Sequence, residues 1–69
     1  MRNHQHKASA IMIGSRYFYC FGKSGRVMTA WSLAGAKLFL FQGDRDEVVE
    51  KLIAKKKKHN IVNVEVVHA

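Results

Sequence analysis

Residues Asp44–Asn60 read DRDEVVEKLIAKKKKHN and residues Ile61–Val67 read IVNVEVV, and the change of period between them decides the fold. In the first stretch Val48, Val49, Leu52 and Ile53 recur at helical spacing, with polar residues on the intervening face. Asp44 stands three residues before Glu47, a D-x-x-E form of the capping box, so the spacing predicts a helix opening at Asp44. It is expected to run to Lys57 or Lys58 and to stop at Asn60, a residue tolerant of the left-handed conformation. In the second stretch Val62, Val64 and Val66 alternate with Asn63 and Glu65, the pattern of a half-buried strand. A long helix followed by a closing strand is thus expected for the C-terminal part.

Upstream, Ala8–Trp31 is rich in β-branched and aromatic residues and is broken at Gly14-Ser15 and at Gly22-Lys23-Ser24-Gly25. Three strands in a meander are expected, over residues 8–13, 16–21 and 26–31, with Gly14 either a turn or a bulge in one long bent strand. Alternation sets Phe18 and Cys20 on one face and Tyr17, Tyr19 and Phe21 on the other, and the first pair reads as inward. Ser32 is placed to cap a short helical turn, and Leu38-Phe39-Leu40-Phe41 reads as a short buried strand. The fold class is therefore α+β, a small antiparallel sheet with one long amphipathic helix. Residues 1–7 read as a flexible basic arm and residues 8–69 as a single domain.

Composition bounds function. A 69-residue chain with 48% apolar residues makes one domain, not a disordered tail. Its single cysteine, Cys20, excludes an internal disulfide, reads as a small buried hydrophobe, and fits a reducing cytoplasm. The apolar run Ala10–Ile13 is too short for a signal peptide, and no segment is long enough to span a bilayer, so no membrane partner is expected. His4 and His6 are the only histidines close in sequence, and no cysteine accompanies them, so no metal is expected. No spacing pairs a nucleophile with a base. Neither an enzyme nor a cofactor is expected.

Charge carries the functional signal. Residues 1–43 hold Arg2, Lys7, Arg16, Lys23, Arg26 and Lys37 with no acid, a charge of +6, whereas residues 44–69 hold six bases and five acids, a charge of +1. A field of one sign weakly opposes folding and attracts polyanions. Arg16, Lys23 and Arg26 flank one predicted hairpin beside Tyr17 and Tyr19, and with Lys37 they form the primary candidate binding set. Cations among exposed aromatics suit single-stranded nucleic acid, where rings stack on bases and cations meet phosphates. The alternative leaves both tyrosines in the core or at a dimer seam. Lys55, Lys57 and Lys58 form a secondary patch whose first explanation is structural, since cations suit the negative end of a helix.

The layout resembles that of many small phage and prophage proteins: a meander, then WSLAGAKLF over Trp31–Phe39, a capped helix, and NVEVV over Asn63–Val67. Anti-CRISPR inhibitors and other host-takeover proteins are similar in size and commonly act by binding. The resemblance implies a cytoplasmic inhibitor whose partner is a host protein or nucleoprotein complex, with direct DNA or RNA binding as the alternative. A third reading is a structural dimer with incidental charge. A homodimer burying part of the sheet or Phe39–Phe41 is expected in any case, because so small a core leaves apolar surface uncovered.

Overall fold

The computed structural model describes residues 4–68, with side chains from residue 7 to residue 65. Four strands and one helix follow in the order β1 (His4–Ile13), β2 (Arg16–Phe21), β3 (Val27–Ala30), α1 (Gln42–Ala54) and β4 (Asn60–His68). The antiparallel sheet has the strand order β3-β2-β1-β4, so the closing strand returns beside the first. The α+β class stands as expected.

Several local expectations change. Residues 4–7, expected to be a loose arm, belong to β1, where His4 through Met12 pair with His68 through Asn60. His4 and His68, distant in sequence, are thereby register partners; the side chains of His4, His6 and His68 lie outside the described residues. Gly14 is a turn and not a bulge. Ile13 pairs with Arg16 across a two-residue loop, and Gly14 alone in that loop takes positive φ (65°), the pattern of a type II′ hairpin.

The β1–β2 pairing stops after Met12↔Tyr17, and the chain from Lys37 to Phe39 fills the gap beyond it. The Lys37 N–H donates to the Phe18 carbonyl at 3.0 Å, while Ser9 and Phe39 exchange two backbone bonds of 2.9 and 2.8 Å. Leu38–Phe41 therefore makes a single bridge and not a strand. Phe39 alone of the four is buried, and its ring stacks on Phe18 with centroids 6.3 Å apart. Leu40 and Phe41 remain 60% and 71% exposed, since the segment crosses the core once and leaves it. The turn at Leu33–Gly35 forms as expected, but Ser32 makes no side-chain capping bond.

A register shift at Tyr19 revises the face assignment in β2. Phe18 pairs with Thr29 and Cys20 with Met28, so Tyr19 is the extra residue of a bulge. Beyond it the alternation resumes out of step, and Phe21 comes to the helix side with its ring 5.0 Å from that of Phe18. Phe18 is buried as expected; Cys20 is only half-buried and stays outside the core. That core is Ile11, Phe18, Phe39 and Leu52, flanked by Ile13, Phe21, Val27, Val48 and Val49. Burying the first four fully, at roughly 1.5–3 kcal/mol each, and the others in part supplies the main drive to fold.

The helix starts and ends earlier than its sequence signals indicate. Phe41 holds the N-cap position without a side-chain bond, so Asp44 lies inside the first turn and the D-x-x-E box does not form. Its carboxylate still faces the positive pole of the helix. At the other end the Lys57 N–H donates to the Leu52 carbonyl and the Lys56 N–H to Ile53, both at 2.9 Å, and Lys56 has φ 57°. This pair of bonds is a Schellman motif with Lys56 in the left-handed position, so the stop is Lys56 and not Asn60. A lysine there carries about 1 kcal/mol of backbone strain that glycine relieves. Lys56→Gly is therefore expected to raise stability by about 0.5–1 kcal/mol after glycine's own entropy cost, readable as a higher urea midpoint.

Candidate nucleic-acid interface

The loop between β2 and β3 is a tight turn that turns its cations outward. Gly22 donates to the Arg26 carbonyl at 2.6 Å, Gly25 to Gly22 at 3.1 Å and Arg26 to Lys23 at 3.3 Å. Ser24 and Gly25 both take positive φ, 61° and 75°. Such backbone is strained for any residue but glycine, and here it leaves Lys23 and Arg26 exposed on either side of the loop.

The C-cap residue of α1, Lys55, reaches the same loop. A Cβ on Gly25 would stand 3.1 Å from the Lys55 Nζ, so the absence of a side chain there lets the ammonium approach. One helical turn earlier, the Lys51 Nζ lies 5.4 Å from the centre of the Phe21 ring. Lys23, Arg26, Lys51 and Lys55 thus gather at one end of the β2–β3 hairpin, although Lys23 and Lys55 are far apart in sequence. Among the described residues the only ion pairs are Arg45–Asp46 at 3.4 Å and Lys51–Glu47 at 3.9 Å, leaving Lys23, Arg26 and Lys55 unpaired.

Next to Phe21 the surface hollows into a concavity of about 330 Å³ whose wall includes Tyr19, Cys20, Phe21 and Lys37. Tyr19, lifted out by the bulge, is 53% exposed there. Tyr17 sits on the strand opposite Met12 and Ala30 and is half-buried. Neither tyrosine joins the core.

The set expected from sequence is only partly brought together. Arg16 opens β2 at the far end of the hairpin from Lys23 and Arg26, six residues or roughly 20 Å of strand away. There its guanidinium lies 3.7 Å from the centre of the Trp31 ring, a stacked pair that the sequence reading did not identify. The meander offered a signal for it, since a register with Tyr17 opposite Ala30 makes Arg16 and Trp31 neighbours. Lys57 and Lys58 line a different hollow of about 730 Å³ with Gly14, Ile53, Lys56, His59 and Asn60. What sequence missed was the approach of Lys55 to Gly25, because nothing local links a helix end to a distant turn.

Among the described residues no three His, Cys, Asp or Glu side chains gather to hold a metal ion, and no helix is long and apolar enough to cross a membrane. No protein family matches this chain, no curated protein matches its sequence, and no solved structure matches its fold.

Proposed function

We propose that this is a non-catalytic binding protein whose basic hairpin end engages the phosphate backbone of single-stranded nucleic acid. The observation that carries this reading is the approach of Lys55 to the loop that carries Lys23 and Arg26, all three unpaired, next to Phe21, whose ring helps line a concavity that holds an exposed tyrosine. None of the three has an acid partner, only Lys55 at the helix C-terminus has a stabilising role of its own, and together they repel one another. A polyanion relieves that repulsion and releases counterions on binding. Tyr19 then offers a face on which one base stacks, with Lys37 at the rim of the same hollow.

The test is the affinity for a labelled single-stranded oligonucleotide as a function of salt. Contacts from three or four cations to phosphates give a slope of log K against log salt of about −2 to −3. Tyr19→Ala is expected to weaken binding by about 1–3 kcal/mol and to leave the melting temperature unchanged, because the ring is already outside the core. Binding that is absent at low salt overturns the reading.

A second reading is favoured by the exposed pair Leu40 and Phe41, an apolar surface of the kind that meets protein. In it the chain is an inhibitor of the phage type that docks on a host nucleoprotein complex and places its basic end in the groove meant for nucleic acid. Weak binding to naked oligonucleotide, with competition against oligonucleotide for a purified nucleoprotein, distinguishes it. In that case Phe41→Ala loses affinity and Tyr19→Ala does not.

A further inference from the structure

The two edges of the sheet are unlike. β3 exposes four residues beside the bulged β2, whereas β4 exposes nine, Asn60–His68, with no proline and with Glu65 as its only Asp, Glu, Lys or Arg. Every second residue of an antiparallel edge turns its N–H and C=O away from its neighbour, and nine residues make an edge of about 30 Å. Short strands, edge lysines, prolines and bulges are the usual defences of such an edge, and β4 has none of them.

The core leaves this edge open. It draws Ile11 from β1, Phe18 from β2 and Leu52 from α1, and among the described residues none of its members comes from β4. On the β4 side, Ile61, Asn63 and Glu65 are exposed, Ile61 by 43%. Just before the strand, the hollow lined by Lys56, Lys57, Lys58 and Asn60 also includes Ile53, itself 61% exposed.

We propose that β4 is the seam of a homodimer, in which the β4 strands of two copies pair antiparallel about a two-fold axis and join two four-stranded sheets. Charge selects this occupant and this orientation. Glu65 is the only acid outside α1 and lies in the second half of β4, while Lys57 and Lys58 stand just before its first residue, separated from it by His59 alone. Antiparallel pairing carries the Glu65 of each copy toward the lysine turn of the other. Parallel pairing would set lysines beside lysines and glutamate beside glutamate. A two-fold contact uses the same patch twice and is closed, so assembly ends at two chains and does not run on into fibres. With the two-fold axis at Val62 the lysine nearest the partner's Glu65 is Lys58, and none of Lys23, Arg26 and Lys55 is needed, so the seam stands or falls separately from nucleic-acid binding.

Sedimentation equilibrium of the full chain at micromolar concentration is expected to give the mass of two chains. With the axis at Val62, Ile61 of one copy stands opposite Asn63 of the other and Glu65 stands opposite His59, beside Lys58, so in Ile61→Lys/Asn63→Lys the new cations face one another across the seam, and the dissociation constant should rise about tenfold or more. Both side chains are exposed, so the melting temperature measured on dilute monomer should hold. Glu65→Lys should weaken the dimer most at low salt, where its attraction to the partner's lysine turn is least screened. A mass of one chain for the wild type overturns the proposal, as does a dimer that survives the double substitution unchanged, since that dimer uses another surface.

Discussion

Replacing Lys23, Arg26 and Lys55 together by glutamate is expected to abolish binding to single-stranded nucleic acid, with a loss of about 100-fold or more at low salt. Lys55 reaches the loop that carries Lys23 and Arg26, none of the three has an acid partner, and only Lys55, at the C-cap of α1, has a role in the fold for its positive charge. Each reversal removes a phosphate contact and adds a repulsion, a change of six charges where the nucleic acid would lie. All three residues are exposed, so the melting temperature should stay within a few degrees, the glutamate at the negative pole of α1 offsetting the relief of self-repulsion. Arg16→Glu is the informative control. It stands at the opposite end of β2, stacked on Trp31, and is expected to cost much less affinity than the triple change. Anisotropy titration and thermal melting on the same samples separate the outcomes. A triple variant that binds as tightly as wild type at low salt would show that this end of the molecule is not the interface.

The largest effect on stability is expected from Phe18→Ala. Phe18 is 2% exposed and packs against two rings, Phe21 at 5.0 Å and Phe39 at 6.3 Å between centroids. Removing it takes away the ring's transfer energy and leaves a cavity that β2 cannot close, because Lys37 and Phe39 are pinned there by backbone bonds. Such truncations cost about 3–5 kcal/mol. A domain of this size has a total stability of only a few to ten kcal/mol, so the variant should melt about 15–30 °C lower or fail to fold at all. Leu52→Ala, at 0% exposure on the facing helix, should behave alike. A Phe18→Ala protein that melts near the wild-type temperature would mean that the sheet and α1 are held together elsewhere.

The elements with a strong local period were legible from sequence. Val62 and Val64 are half-buried between exposed Ile61, Asn63 and Glu65, as their alternation requires, and Val48, Val49 and Leu52 face the core from α1. The hairpin at Gly14 and the turn at Gly22–Gly25 were marked by glycines that supply positive φ. These features are encoded within a few residues, where backbone sterics and the burial of one face act without reference to the rest of the chain.

What tertiary structure decided was every pairing between distant segments. The Leu38–Phe41 run carries four apolar residues, yet only Phe39 is buried, because the segment meets the sheet at the single Ser9–Phe39 bridge and then leaves it. The bulge at Tyr19 moved Phe21 inward and Cys20 outward, a shift set by the register of β3 and by the fit of two rings against α1. The candidate site divides the same way. Sequence identified Lys23, Arg26 and Tyr19 through local charge and aromatic content, but it grouped them with Arg16, which the length of β2 carries to the other end of the hairpin. It left Lys55 in a separate patch, and only the packing of α1 across the sheet, with Lys55 against the bare backbone of Gly25, brought the two charge groups together. Composition and period determine which residues seek the core and which carry charge. Contact between residues some thirty positions apart depends on the single arrangement in which all the buried side chains fit at once.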